Sequence, residues 1–539
     1  MQSDSINIHK QNKLMKDYRL MEGDLSSFFD YHPYNDFYKR ADDLKGVEYN
    51  REGLADVLLQ MNRGWGAPQA ALENIERLRD KDSTVVIGGQ QAGVLTGPLY
   101  TINKVISIIT LARKQESELG RPVIPVFWIA GEDHDFEEIN HIYLPENSGM
   151  KKSKIPHRHY GKESVSNLSM DKEISSEWTD FLFSRLQETV YTKDIYETVR
   201  SCLDHSRTYV DFFAQLISRM FYNEGVVLVD SGNPELRRLE SGHFVQIIER
   251  QPEISEGVMK AYDQLREKGY SLSLEVEPDQ AHLFYHLDDE RILLYRNEDG
   301  RWKGKQDEVE FTTEELVSIA RNHPEMLSNN VVTRPIMQEL LFPSLAFVGG
   351  PGEVAYWAAL RPAFRSLGMS MPPVVPRLSF TLVDRKVQKA LDKYGIKVET
   401  AINEGVAERR KQWLASLNNP PVAQLVDELK GTLDQAHRPL RTTAQVIRAD
   451  IGELAEKNLR HLHREIDFLY NRMMKAVEET HEKDFREFDY IQVMMHPNEG
   501  LQERTWNPIP FINEHGVEFI REMLETDWSF EAEHYVVWL

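Results

Sequence analysis

Five short apolar runs, each ending in a polar or glycine-rich stretch and followed by helical sequence, limit the fold of this chain more than any other feature. They are Thr84–Gly88, Val123–Ala130, Val226–Asp230, Leu345–Val348 and Val374–Leu378. Consecutive apolar residues over so few positions suit strands buried on both faces. Strands alternating with helices imply a parallel sheet flanked by those helices. The pattern predicts an α/β fold with an open, doubly wound sheet, in which ligands bind outside the carboxyl ends of the strands. The helix after the first run opens at Gly97-Pro98, where proline costs no hydrogen bond. Its Ile102, Val105, Ile106, Ile109 and Ala112 form a broad apolar face to lay on the sheet.

Two insertions interrupt the series. Residues 145–222 carry a basic segment, Lys151 to His159, and then helical sequence; His157 and His159 read as solvated rather than ligating. Residues 245–330 hold runs at His282–Leu287, Arg291–Arg296 and Arg301-Trp302. The turn signals Asp288-Asp289-Glu290 and Asn297–Gly300 separate them, which predicts a small antiparallel meander. The core is expected over 1–384 around these insertions, with its first 80 residues helical. From Pro421 to about Lys483 the chain reads as one long helix kinked at Pro439. Leu462, Ile466, Leu469, Met473 and Ala476 give that helix a heptad seam. Such a seam needs a second helix, from the same chain or from another subunit. Residues 385–500 are therefore expected to form a dimerising arm, and 501–539 to pack back on the core.

Composition removes several function classes. Among 539 residues, 64 are Lys or Arg and 86 are Asp or Glu, a net charge of −22, the reverse of a nucleic-acid binder's basic surplus. Stretches such as Val105–Ala112 fall far short of the roughly 18–20 apolar residues of a bilayer span. The N-terminus lacks the apolar run of a signal peptide, so a cytoplasmic protein is expected. The single cysteine, Cys202, excludes an internal disulfide and a multi-thiolate zinc site. It reads as a packed thiol.

The candidate chemistry lies in the loops after the runs. Gly88-Gly89-Gln90-Gln91-Ala92-Gly93-Val94-Leu95-Thr96-Gly97 lets the backbone approach a ligand, and free amides at the next helix start favour an anion. The loop lacks the Gly-Lys-Ser/Thr ending of a Walker loop and is not GxGxxG. Gln90, Gln91 and Thr96 in this loop, with Tyr100, Asn103 and Lys104 in the helix, are candidates for substrate binding. After the second run, Asp133, His134 and Asp135 are candidate catalytic groups, because flanking carboxylates can raise a histidine's pKa and fix its tautomer. With His141 they would make a metal set, but neighbours on an extended strand point to opposite sides, so no metal site is assigned.

The second glycine loop brings Gly349, Gly350 and Glu353, with Tyr356 and Trp357 behind it. Glu353 would receive a substrate amine, or only complement the helix dipole. Arg334, and Arg377 at the last run, would hold a phosphate or carboxylate. Asp384, Arg385 and Lys386 open the next helix; with Tyr490, Arg504, Trp506 and Asn507 they form a candidate nucleotide pocket, against plain surface packing.

In order and spacing, GGQQAGVLTGPLYTINK, FWIAGEDHDFEEIN, FVGGPGEVAYWAALRPAF with MPPVVPRLSFT, and LQERTWNPIPF resemble the bacillithiol-biosynthesis cysteine-adding enzymes, a family of bacterial cysteine ligases. The resemblance runs through essentially the whole chain. It implies a Rossmann-type core with connecting-peptide insertions and a C-terminal α-helical coiled coil that makes a homodimer. It also implies the last step of bacillithiol synthesis, the addition of cysteine to the amine of glucosaminyl-malate. ATP, with magnesium if the nucleotide carries it, would activate the cysteine carboxylate as an adenylate or an acyl phosphate. Carried over by position, the site comprises Gln90–Lys104, Glu132–Asp135 and Gly349–Glu353. HIGH and KMSKS motifs are missing, with Thr-Ile-Asn-Lys104 near where HIGH would fall, and there is no thiolate-rich zinc site to select cysteine. An anionic substrate on so acidic a chain requires a locally basic site, from Lys104, Arg334 and Arg377. The alternatives are a non-catalytic nucleotide- or metabolite-binding scaffold of the same pathway, and a glycosyl- or nucleotidyl-transferase.

Overall fold

The computed structural model describes residues 1–539 apart from 22, 147–148, 158–160, 273–276, 278, 289 and 418–421. His159, Asp289 and Pro421, on which expectations fell, lie outside the described residues. The chain divides into two compact units, one of 1–144, 151–382 and 502–539, the other of 145–150 and 383–501.

In the larger unit the five apolar runs are strands β1 (Thr84–Gln90), β2 (Val123–Ile129), β3 (Val227–Asp230), β4 (Ser344–Gly349) and β5 (Val374–Pro376). They pair in the order β5-β4-β1-β2-β3, all parallel. Read from the other edge this is 3-2-1-4-5, the Rossmann order. The chain builds outward from β1 to β3, then crosses back to place β4 on the other side of β1. That reversal opens a crevice between the carboxyl ends of β1 and β4.

Every residue of β2, β3, β4 and β5 is buried, as a sheet covered on both faces requires. Helix α1 (Leu99–Leu119) packs on this sheet, with Ile102, Val105, Ile106, Ile109 and Ala112 all sealed from solvent. It stops at Gly120, which takes the left-handed conformation. Helix α2 (Pro234–Glu249) follows β3 and is capped by Asn233, whose side chain accepts from the amides of Glu235 and Leu236. Helices α3 (Thr333–Leu341) and α4 (Pro351–Trp357) flank β4. α4 ends at Trp357 and a further helix starts at Arg361–Ser366, where Pro362 fits a first turn but not an interior.

Within 245–330, strands Gln280–Leu287, Glu290–Arg296, Trp302–Gly304, Glu310–Phe311 and Leu327–Asn329 form one antiparallel sheet. The first 80 residues are not wholly helical. Gln2–Ile6 pairs antiparallel with His534–Trp538, in a three-stranded sheet with Phe380–Val383. Gln-Ser-Asp-Ser-Ile lacks a strand's alternation, and its partner lies at the far end of the chain.

The smaller unit contains α5 (Val422–Ile447), α6 (Ala449–Thr480) and α7 (Glu482–Met495). The single kinked helix is in fact a hairpin. The helix continues through Pro439, and the chain reverses at Arg448, whose backbone is extended. The two legs run antiparallel, with Arg441 3.3 Å from Glu456 and His437 3.1 Å from Asn458. Folding back covers part of α6 within one chain: Leu459 is buried, and Leu462 and Ile466 of the seam are half-buried. The seam is only partly covered, however, since Leu469 remains 59% and Met473 42% exposed. No helix among the described residues is long and apolar enough to cross a membrane.

Candidate active site

The loops after β1 and β4 enclose a cavity of about 360 Å³ at the point where the strand order reverses. Of the residues singled out in the sequence, Gln90, Gln91, Tyr100, Lys104, Asp133, Arg334, Gly350, Glu353, Tyr356, Arg377 and Arg504 line it. A smaller adjoining space of about 30 Å³ shares Gln90, Gln91 and Tyr100, and is also lined by Gly93, Gly97 and Asn507.

Lys104 sits one turn into α1, beneath the first glycine loop. It is 1% exposed and donates to the Gly89 carbonyl (2.5 Å), to Gln90 Oε1 (3.2 Å) and to Glu353. Burial lowers its pKa, against the opposing pull of Glu353. Glu353 also accepts from the amide of Gly350 (2.7 Å). The acid expected to meet a substrate thus already occupies the start of its own helix. At the first loop, the amide of Leu99 donates to the Trp506 carbonyl (2.7 Å). One amide at each helix start therefore has an internal partner.

The cationic side chains are mostly paired. Arg377 makes a two-pronged contact with Glu503 (2.6 and 2.7 Å). Arg334 donates to Glu132 (2.7 Å) and to Asp133 Oδ1 (2.6 Å). Among the described residues lining the cavity, Arg504 is the cation with no ion-pair partner. The basic patch expected of Lys104, Arg334 and Arg377 is thus neutralised residue by residue, and Arg504 carries the unbalanced charge.

Beneath the cavity lies a buried ionic network that sequence reasoning missed. Glu132, fully buried, accepts from Arg237 (2.5 Å) as well as from Arg334. Arg237 also holds Glu240 (2.8 Å). Arg291, from the antiparallel sheet, donates to Asp133 (3.2 Å), Ser328 (3.1 Å) and the Asn329 carbonyl (2.5 Å). Burial pushes the Glu132 carboxyl up, but Arg334, Arg237 and Arg291 outweigh it and hold the group at about 2. Burial dominates at Glu240, raising it to about 7. Arg237 and Glu240 stand three apart on α2, which in sequence looks like any surface pair.

The remaining expected residues fall elsewhere. His134 and Asp135 do not line the cavity; the His134 ring lies against Phe284, with Nε2 3.8 Å from Asp135. Its pKa is lowered, not raised, because burial outweighs the neighbouring Asp135 carboxylate. Asn103 is buried on Glu503 (2.7 Å), Trp357 stacks on Phe347, and the Gly349 carbonyl accepts the amide of Arg377 (2.8 Å). Thr96 is buried off the cavity. Asp384, Arg385, Lys386 and Tyr490 belong to the smaller unit. There Asp384 caps a helix through the amide of Val387 (2.7 Å) and accepts from the Tyr490 hydroxyl, and Lys386 lies 3.9 Å over the Tyr490 ring. Arg504, Trp506 and Asn507 belong to the larger unit, with Trp506 and Asn507 buried. Cys202 is buried and its thiol is pushed up to about 11. No group of three or more His, Cys, Asp or Glu able to hold a metal occurs among the described residues.

Residues 1–378 match the family model described as "Bacillithiol biosynthesis BshC, N-terminal Rossmann-like domain", and residues 380–539 match the corresponding "C-terminal coiled-coil domain". Similar proteins include one from Oceanobacillus iheyensis, 42% identical over 544 residues and covering 100% of both chains. One from Bacillus licheniformis is 39% identical over 538 residues, again 100% of both. A third, from Geobacillus kaustophilus, is 41% identical over 504 residues, 93% of each chain. All three carry the name "Putative cysteine ligase BshC". With both family models matched end to end on a Rossmann-ordered sheet and a helical hairpin, the chain belongs to the BshC family of bacillithiol biosynthesis.

Proposed function

We propose that this protein is an ATP-dependent ligase that forms the amide bond between the carboxyl group of cysteine and the amine of glucosaminyl-malate, the last step of bacillithiol synthesis. The observation that carries the reading is the cavity at the strand-order reversal, where Asp133 and Glu353 stand among Lys104, Arg334, Arg377 and Arg504. Membership of a family whose relatives are named as cysteine ligases supports the reaction class.

A carboxylate is a poor acyl donor, so the bond needs an activated acyl group. ATP, as its magnesium complex, supplies either the cysteinyl adenylate with loss of pyrophosphate or the acyl phosphate with loss of ADP. The amine then attacks the acyl carbon, AMP or phosphate leaves, and the amine gives up one proton. In this scheme Asp133 accepts it: Arg334 and Arg291 both donate to Oδ1, and among the described residues Oδ2 would be left for the substrate nitrogen. His134, next to Asp133 in the chain and with Nδ1 buried and unpartnered among the described residues, is the second acceptor in this scheme. Arg504 would pair with the carboxylates of the malyl group. Asp384, Arg385, Lys386 and Tyr490 would make nucleotide contacts of their own within the smaller unit. We place the enzyme in the cytoplasm, as a homodimer joined along the uncovered face of α6.

The test is turnover by the purified full chain given cysteine, glucosaminyl-malate and ATP. One thiol product per ATP consumed is expected, and Asp133→Asn should lower kcat at least about 100-fold. If neither product nor ATP consumption appeared, while a strain lacking the gene still lost the thiol, the non-catalytic scaffold reading would replace this one. Sedimentation velocity tests the arm separately. Leu469→Glu places a charge on the exposed seam and should turn a dimer into a monomer, whereas a monomeric unsubstituted chain would contradict the homodimer.

A further inference from the structure

The backbone between β1 and α1 is bent more sharply than its sequence favours. Leu95 (φ 50°) takes the left-handed conformation, and Thr96 (φ 71°) and Gly97 (φ 71°) follow it with positive φ. Leucine resists a positive φ, and a β-branched threonine resists it more. Gly93 and Gly97 pass so closely that a Cβ on Gly93 would lie 2.8 Å from the Gly97 Cα. Thr96 is fully buried, yet its hydroxyl has no hydrogen-bond partner among the described residues. Neither local propensity nor the chemistry of Thr96 holds this shape. A strained bend persists only where its surroundings over-determine it.

The surroundings are residues 502–507. Asn507 Nδ2 donates to the carbonyls of Leu95 (2.9 Å) and Gly97 (2.7 Å), so both of its amide hydrogens go to the bend. Its Oδ1 accepts from the amide of Ile509 (3.0 Å) and caps the helix Pro508–His515. The Trp506 carbonyl takes the amide of Leu99, fixing where α1 begins. Glu503 in the same stretch grips Arg377, and Arg504 lines the cavity. On either side of the bend, Gln91 and Tyr100 line that cavity too. A strand-to-helix connection usually takes about 2–6 unstrained residues. This longer, strained one brings groups from both of its ends to a single opening.

We propose that Gln502–Asn507 is a strut that holds the bend, and that Asn507 is a positioning residue for the amine substrate. The inference rests on the reading that the Gln90–Lys104 segment contacts that substrate. Asn507 acts through the backbone of the loop, not on the reacting atoms.

Two substitutions separate the strut from the helix cap. Asn507→Ala removes both, whereas Asn507→Asp keeps an oxygen for Ile509 and loses the two donated hydrogens. By amide hydrogen exchange on the full chain, residues 93–99 should exchange at least about 10-fold faster in both variants. The helix Pro508–His515 should loosen only in Asn507→Ala. KM for glucosaminyl-malate should rise about 10-fold or more, with kcat within about 3-fold of the unsubstituted protein. Adding Thr96→Gly to Asn507→Ala should recover at least about half of the logarithmic KM loss, because glycine takes a positive φ without steric cost. Unchanged exchange over 93–99 in Asn507→Asp would overturn the strut. An unchanged KM despite faster exchange, or no recovery with Thr96→Gly, would overturn the positioning role. Were the unsubstituted chain to show no turnover, the ligase reading would fall, and the exchange rates alone would still decide the strut.

Discussion

Replacing Glu132 by alanine is expected to cost about 3–5 kcal/mol of folding stability, because it strands buried guanidinium groups rather than merely deleting a contact. Glu132 is fully buried and receives Arg237 at 2.5 Å and Arg334 at 2.7 Å, one on each oxygen. Without it, among the described residues, Arg237 keeps Glu240 and Arg334 keeps Asp133 as its remaining ion-pair partner. A carboxyl lowered from 4.5 to about 2 by its neighbours corresponds to about 3 kcal/mol at neutral pH. Its folded pKa is depressed, so this stability is present above the unfolded value near 4.5 and is lost as pH falls toward 2. Urea unfolding at pH 7 and near pH 3 checks both points. The substitution should lower stability strongly at pH 7 and much less at the acid end. Equal losses at both pH values would mean that packing, not charge, is what Glu132 supplies.

Replacing Lys104 by methionine should lower kcat/KM about 100-fold or more, the scale of losing one preorganised donor in an enclosed site. Lys104 joins the two sides of the crevice: it donates to the Gly89 carbonyl at the end of β1 and to Glu353 at the start of α4. Its removal leaves a carboxylate on the cavity wall that keeps, among the described residues, the Gly350 amide as partner and faces any anionic substrate. The double variant Lys104→Met/Glu353→Gln removes both charges at once. Deleting both members of an ion pair leaves no stranded charge, so thermal stability should largely return. Turnover should not. Recovery of activity in the double variant would make the pair a structural tie only.

The architecture was legible where burial is continuous. A parallel strand covered on both faces is an unbroken apolar run, and the runs starting at Thr84, Val123, Val226, Leu345 and Val374 needed no partner to be seen. The glycine loops were legible because strands of this kind end at the ligand edge. The arm's reversal was not: Ile447-Arg448-Ala449 contains no turn residue, whereas Pro439 advertises a break that the helix does not make. Nor were the charges under the cavity. Arg237 is 105 residues from Glu132, Arg291 is 158 from Asp133, and Glu503 is 126 from Arg377. Each looks like an ordinary surface residue until the fold buries it beside its partner. The same holds for Asn507, whose polar side chain suggested a ligand contact and is found closing on the backbone of Leu95 and Gly97.

The amine substrate is expected to sit at the crevice between β1 and β4. The most direct measurement is amide hydrogen exchange of the full chain with and without saturating glucosaminyl-malate. Slowed exchange in Gln90–Tyr100 and Gly349–Tyr356 is the expected result. Slowing confined to residues 383–501, with both glycine loops unchanged, would contradict it.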